Sequence, residues 1–397
     1  MQRIVDALVI GGGSTGTSII YHLARMGVGN TALVEKGSQT AIGQTSRSTG
    51  IIRTHYSHET LVKMALRSLT FFQNFEREVG GKSCGFEKNG LLICSDERFD
   101  SGIHDNLEMF KRLGINSRMI DKSEAGSIEP QLNSSPYSSF VYEPEAGVAD
   151  PSLTCASFSS LARELGAKIL TNTEVISIRR ESRSEYSVAT TSGEIRAHSV
   201  IVALGPWTNT LLSKLGIDLP IRAIRHPVVI MHRPNEYSGR RPIIFDFSRG
   251  AYFRSEGNHL LHVGDMDPGT SKSEVNPDNY DESISFEEKT RLSECVAEAL
   301  PVMRNGGTIQ KEYTGIYDVT PDEQPIIDEF SADGFDRLYC VVGLSGHGFK
   351  LAPEFGRIIS SLVLTGKFSD YDISIFSNDR FKQGKLLLSK YKLGTIG

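Results

Sequence analysis

Short apolar runs, separated by polar and glycine-rich breaks, recur along the whole chain at strand and helix spacings. Ile4 to Ile10 is apolar except for Asp6 and reads as a buried strand. A glycine-rich break follows, and Ile19, Ile20, Leu23 and Ala24 then fall on one helical face. Thr31 to Val34 is a second strand. The regular alternation of strand and helix stops there. The chain passes through Gly43 to Arg53, enters a helix carrying Leu61, Ala65, Leu69 and Phe72, and reaches a strand over Gly90 to Cys94. Strands are predicted again over Ala167 to Leu170 and Thr173 to Ile178. A polar, hairpin-like stretch then leads to a buried strand from Ser199. Residues 221–318 alternate apolar with polar as an antiparallel sheet does, as in His226-Pro227-Val228-Val229-Ile230-Met231. Leu338 to Val342 restores a buried strand, followed by a glycine turn. A helix is predicted to start near Pro353 and to stop at Gly366.

The first break is Gly11-Gly12-Gly13-Ser14-Thr15-Gly16. A strand, Gly-x-Gly-x-x-Gly and then a helix is the context a dinucleotide site requires. Gly11 permits the tight turn, Gly13 lets backbone approach a pyrophosphate, and Gly16 lets helix and strand pack closely. The N–H groups and positive dipole end of the helix face the phosphates. Glu35, at the end of the second strand, can accept hydrogen bonds from both ribose hydroxyls. The motif serves NAD and FAD alike. In a simple NAD dehydrogenase, further βα units should follow at once, and here they do not. The predicted architecture is α/β (α+β overall): a Rossmann-like cofactor domain in three pieces, residues 1–80, 145–218 and 320–397. A substrate domain on an antiparallel or mixed sheet, residues 81–144 and 219–319, is inserted between them.

Composition narrows the class. In 397 residues, 43 lysines and arginines stand against 48 acids, for a charge of −5, which lacks the basic footprint of a nucleic-acid protein. No apolar run reaches the ~18–20 residues of a membrane helix, and the start shows no signal-peptide segment. The cysteines, Cys84, Cys94, Cys155, Cys295 and Cys340, are odd in number and scattered, which argues against a disulfide framework or a cysteine metal site and for a reducing compartment. The expectation is a cytoplasmic protein with no metal. His55, His58, His226 and His232 show no metal-ligand spacing and receive no role.

Four segments carry a family resemblance: Gly11 to Glu35, Ser48-Thr49-Gly50-Ile51-Ile52-Arg53, Val202-Ala203-Leu204-Gly205-Pro206-Trp207, and Gly343-Leu344-Ser345-Gly346-His347-Gly348-Phe349-Lys350, the last preceded by Thr320-Pro321-Asp322-Glu323-Gln324-Pro325-Ile326-Ile327. In this order and spacing the chain resembles the D-amino-acid-oxidase-type family of FAD enzymes, the group of sarcosine oxidase, glycine oxidase and dimethylglycine dehydrogenase. It is most similar there to the beta subunits of heterotetrameric sarcosine oxidase and of L-proline dehydrogenase. The resemblance implies FAD as cofactor. It carries the FAD site onto Gly11, Gly13, Ser14, Thr15 and Gly16, onto Glu35 and Lys36, and onto Thr45, Ser46, Arg47, Ser48 and Thr49. It continues through Val175, whose backbone would hold the adenine, then Ala203, Gly205 and Trp207, and ends on Gly343, Gly346, His347, Gly348, Phe349 and Lys350. Family members with covalent FAD attach it through a histidine near Ser46-Arg47-Ser48 or a cysteine near Gly315. Arg47 and Gly315 stand at those places, so the expectation is non-covalent FAD. No FMN-linking histidine is evident near Asp150-Pro151-Ser152-Leu153.

By the same resemblance, Arg53 grips the substrate carboxylate and Lys350 adds a second positive contact. The chemistry agrees, because an arginine fork matches a carboxylate in two parallel hydrogen bonds while lysine is a point charge. Tyr252 and Tyr317 match positions near the flavin face, where each either donates a hydroxyl or packs its ring. The implied substrate is a small carboxylate-bearing amine, a sarcosine-like secondary or N-methyl amino acid, oxidised at its C–N bond to an imine that hydrolyses. An L-proline dehydrogenase subunit of a larger complex is one alternative. A 2-hydroxy-acid dehydrogenase, with His347 as base, is another. The acceptor is oxygen or another oxidant, and the chain is open to homo- or hetero-oligomers. Aligning Leu261-His262-Val263-Gly264 with the segment that holds an oxygen-activating lysine in single-chain sarcosine oxidases places His262 there, which predicts slow reoxidation by air.

Overall fold

The structure, a computed structural model, describes residues 4–183, 185–266 and 274–391. The outer ends of the predicted cofactor domain, residues 1–3 and 392–397, lie outside them. β1 (Ile4–Ile10) runs parallel to β2 (Thr31–Val34) and to the Gly193–Val202 strand. β2 pairs in parallel with Lys168–Leu170, and Val200–Val202 with Leu338–Cys340. Antiparallel neighbours, Val175–Ser182, Glu185–Thr190 and Ile326–Glu329, complete eight strands. Parallel sheets need cover on both faces, hence the buried apolar run Ala7 to Ile10 in β1. Val9 and Leu33 face a core shared with Ile19, Ile20 and Ile359, while Leu8 and Val34 face Tyr186 and Leu212. Ile10 pairs with both Val34 and Val202, so the segments that follow, Gly11, Glu35 and Ala203, leave the sheet together at one edge. Ligands bind at that edge in open parallel sheets.

The longer helices are α1 (Ser14–Arg25), α2 (Glu59–Gln73), α3 (Asp100–Arg112), α4 (Pro151–Glu164), α5 (Phe286–Ala299) and α6 (Gly348–Thr365). A second eight-stranded sheet gathers Arg222–His232, Ile243–Asp246, Ala251–Glu256, Leu260–Asp265 and Thr308–Val319 with the earlier Leu91–Ser95, Arg118–Ile120 and Ser139–Glu143. It is antiparallel except where Ile243–Asp246 runs parallel to Leu91–Cys94. One face packs on Leu292 and Val296 of α5, and the other carries Tyr252, His226 and Tyr317 toward the first sheet's open edge.

Several expectations from the pattern require correction. Residues 221–318 are not all sheet, because α5 interrupts them. Its start is marked by a capping box in which Ser285 and Glu288 satisfy each other's backbone N–H groups. The last helix begins at Gly348, so Pro353 lies inside it rather than at its start; Gly366, at φ +69°, ends it as predicted. The strand expected from Thr173 starts at Val175, and the polar stretch after it forms the Glu185–Thr190 strand and the first half of Gly193–Val202.

Candidate active site

The glycine turn sets the geometry at the edge of the first sheet. Gly11 has φ +110°, and a Cβ there would sit 2.3 Å from the Ala203 carbonyl oxygen; at Gly16 it would sit 1.9 Å from the Gly11 oxygen. Only glycine lets these three segments meet. α1 opens without a side-chain cap at Gly13, and the Ser14 N–H donates to Thr45 Oγ1 at 3.0 Å. Thr15 Oγ1 is buried and has no partner among the described residues. Glu35 is fixed by the Gly12 and Gly37 N–H groups, each at 2.7 Å from one of its oxygens.

These residues line a cavity of about 710 Å³. Its walls hold Gly11, Gly13, Ser14, Thr15, Glu35, Lys36, Thr45, Arg47, Ser48 and Val175, and, from later in the chain, Ala203, Gly205, Trp207, Tyr317, Gly346, Gly348 and Phe349. A cavity of this size, with an uncapped helix start, an orphaned threonine hydroxyl and a backbone-held carboxylate at one end, fits a dinucleotide. Trp207 Nε1 donates to Asp278 Oδ1 at 2.7 Å, and the Lys36 ammonium lies 4.7 Å from the Trp207 ring centre. Arg47 is tied to the Thr314 carbonyl at 2.6 Å and to Glu282 at 2.7 Å.

A second cavity of about 80 Å³ adjoins the first, with Ser48, His226, Tyr317, Gly346 and Phe349 common to both. Its walls add Thr49, Arg53, Phe245, Tyr252, Met266 and Lys350. Arg53 is 2% exposed. Its guanidinium lies 4.4 Å from the Tyr56 ring centre and donates to the His55 carbonyl. Lys350, in the first turn of α6, donates to the Gly346 carbonyl at 3.0 Å. Desolvation, and then the neighbouring Arg53 charge, hold its ammonium well below the ordinary lysine range. The Tyr252 ring lies across Gly264, where a Cβ would be 2.1 Å from Cζ, and burial pushes its phenol well up.

His226, without a role in the sequence pattern, borders both cavities. Its ring stacks on Tyr317 with centres 4.3 Å apart, and Nε2 is 3.2 Å from the Tyr252 hydroxyl. Burial lowers it to about 4, so it is neutral at pH 7. The cross-strand register that creates this stack leaves no local trace in the sequence.

Other expected site residues stand apart from the cavities. His347 lines neither. It caps α6 from below, with Nδ1 3.2 Å from the Tyr56 hydroxyl and Nε2 3.2 Å from the Glu323 carbonyl. A base on substrate is therefore not its geometry; it positions the turn. His262 is a correction: it pairs with Glu256 at 2.7 Å and lines neither cavity. It opposes Arg254, two residues outward of the Tyr252–Gly264 pair. Slow reoxidation loses its structural basis there. Gly16 and Gly343 shape turns behind the wall, and Ser46 donates to the Gly43 carbonyl at 2.9 Å. Among the described residues no helix is long and apolar enough to cross a membrane and no side-chain cluster could hold a metal.

Comparison with known proteins agrees with this geometry. The family model described as FAD dependent oxidoreductase (DAO) matches residues 6–362. Monomeric sarcosine oxidase of Bacillus sp. (strain B-0618) is 29% identical over 391 residues, covering 96% of this chain and 97% of that protein. The crystal structure of L-proline dehydrogenase from P. horikoshii superposes with a TM-score of 0.87 at 28% identity, over 97% of this chain and all of that one. Glycine oxidase from Geobacillus kaustophilus shares the fold, with a TM-score of 0.83 at 24% identity over 96% and 99% of the two chains.

Proposed function

The chain belongs to the DAO family of FAD-dependent oxidoreductases acting on amino acids, and on that premise we propose that its substrate is a small secondary or N-methyl amino acid. The observation that carries this reading is the pair of basic side chains, Arg53 and Lys350, in a cavity of about 80 Å³ that opens onto the cofactor-sized one. Arg53 receives the carboxylate as a fork, and the arriving negative charge favours the protonated form of Lys350, which desolvation and Arg53 otherwise disfavour. Two cations beside the carboxylate favour the neutral amine, whose nitrogen lone pair must be free to form the C=N bond as hydride leaves. FAD, when bound, supplies the two-electron acceptor. Tyr252, hydrogen-bonded to His226, and Tyr317, stacked on it, complete the wall and would exclude water and offer hydroxyls to the substrate. Phe245 and Met266 leave room for an N-methyl group or a small ring and little more. The cofactor would be bound by residues 1–80, 145–218 and 320–397 and the substrate mainly by the rest; the separate origins of the two sheets support that division.

Bleaching of the flavin under anaerobic conditions tests the substrate class. Sarcosine or L-proline should bleach it at low concentration, while glycine, D-amino acids and 2-hydroxy acids act weakly. Bleaching by hydroxy acids alone would replace the amine reading. Their base would then have to be the buried, neutral His226, which is a weak one at pH 7. Mixing the bleached protein with air or with a dye identifies the acceptor.

Acid precipitation should release all of the flavin as FAD into the supernatant. Arg47 and Gly315 stand at the attachment positions, and the five cysteines are buried and line neither cavity. Colour remaining in the pellet would contradict this and direct attention to His226.

A further inference from the structure

Asp318 lines the cofactor cavity and is 7% exposed. Its Oδ2 accepts the Leu344 N–H at 3.1 Å, and its carbonyl accepts the Ser345 N–H at 2.9 Å. It forms no salt bridge among the described residues. A Cβ built on Gly205, another wall residue, would be 4.0 Å from Oδ2. Its contacts place it in the cavity wall: Leu344 and Gly205 both line the larger cavity, and Gly346, two residues beyond Leu344, borders both cavities. Asp318 thus lies toward the end where the two cavities meet, away from the Glu35 end. Capping the turn needs only an acceptor, which an amide would supply equally well. A carboxylate in this wall is harder to account for, because it carries a buried charge that the backbone N–H groups around it offset only in part.

We propose that the Asp318 carboxylate sets the reduction potential of the bound FAD, holding it down by opposing the arrival of electrons. The inference rests on the FAD dependence of the family and not on the choice of substrate. During turnover a substrate C–H bond breaks, its electron pair and proton pass as hydride to FAD, and the amine is oxidised to an imine. The cofactor side gains two electrons with one proton and becomes more negative. By reciprocity of linkage, whatever Asp318 does to electron affinity, electrons do to its proton affinity. Burial already raises its carboxyl to about 6, against the Leu344 and Gly343 N–H groups, which lower it. Reduction raises it further, so Asp318 takes a proton from solvent. Of the elements packed against it, the facing strand carries Arg222, Arg225 and His226, while the Gly205–Trp207 turn and Gly343 to Ser345 carry no ionisable side chain; His226, lowered to about 4 by burial, stays neutral from pH 5 to pH 9.

The test is the two-electron potential of the purified flavoprotein, measured by slow enzymatic reduction beside a reference dye. At pH 8, Asp318→Asn should favour reduction at least tenfold, about 30 mV for a two-electron couple. The difference should close by pH 5, where the wild-type carboxyl is protonated. An unchanged potential with weaker FAD retention overturns the proposal and makes Asp318 a plain hydrogen-bond partner. Should the variant not hold FAD, wild type decides alone. Its potential should run steeper between about pH 6 and pH 7 than at pH 9, by about half a proton per two electrons, roughly 15 mV per pH unit, for a tenfold coupling. A constant slope overturns the idea. These potentials are read without substrate, so failure of the amine reading would show in the bleaching screen and leave them unmoved.

Discussion

Arg53→Ala should weaken binding of a simple carboxylate between roughly 30-fold and several thousand-fold while FAD stays bound. Truncating one partner of a buried, hydrogen-bonded charge pair costs ~2–5 kcal/mol, at ~1.4 kcal/mol per tenfold. The range sits high because Arg53 is 2% exposed, so water does not replace the lost fork. Its place is fixed before any ligand arrives, by the His55 carbonyl and the Tyr56 ring. Arg53→Lys should recover only part of the loss, because an ammonium is a point charge without the planar fork. Titrating acetate against the flavin spectrum measures all three proteins. Equal affinity in wild type and Arg53→Ala would remove Arg53 from the substrate cavity, and loss of FAD in the variant would mark it as structural.

What the sequence revealed divides along a physical line. The turn from Gly11 to Gly16, Glu35 at a strand end and Arg53 after two isoleucines are local signals, because backbone conformation or an out-of-place charge marks them within a few residues. The parallel core was legible for the same reason: Ala7 to Ile10 and Val200 to Val202 are apolar on both faces. His226 and Asp318 become site residues only through pairings 89 and 95 positions away. His226 faces Gly315 and Asp318 faces Ala223 across two antiparallel strands. His262 fails in the opposite sense. Its segment does border Tyr252, but Gly264 is the residue under the ring, and His262 stands two pairs further out. α5 was hidden because Leu292, Cys295, Val296 and Ala299 fall among strands whose alternation dominates the region. Its capping box, Ser285 to Glu288, was the available signal.

Lys350, the proposed substrate contact, depends in turn on a distant buried pair, and breaking that pair should have a large effect on stability. Lys350 begins α6 behind His347, whose Nε2 is held by the Glu323 carbonyl. That carbonyl belongs to the tight turn Thr320 to Gln324, organised by Asp322, which accepts from Thr320 Oγ1, Gln324 N and Leu387 N. Arg380 closes the arrangement with a two-pronged bridge, Nε and Nη2 at 2.8 and 2.9 Å from the Asp322 oxygens. Removing one partner of a buried ion pair costs ~3–5 kcal/mol, since the other charge is left without a partner. Arg380→Met keeps much of the side-chain volume and should lower unfolding stability by about that amount at pH 7. Burial alone would raise the Asp322 carboxyl, but Arg380 and the N–H donors bring it below the usual 3.8. In wild type this stabilisation is present above the unfolded value of ~3.9 and is lost as pH falls through the lower folded value. Without Arg380 the burial term prevails and the carboxyl rises instead, so protonation relieves the variant as pH approaches 4. Denaturant midpoints at pH 7 and pH 4 should show the gap between the proteins narrowing; an equal gap at both would mean that lost packing, and not the unpaired carboxylate, is responsible. A looser turn should also raise the KM for the amino acid more than it lowers kcat, because its effect on the site passes through His347 to Lys350.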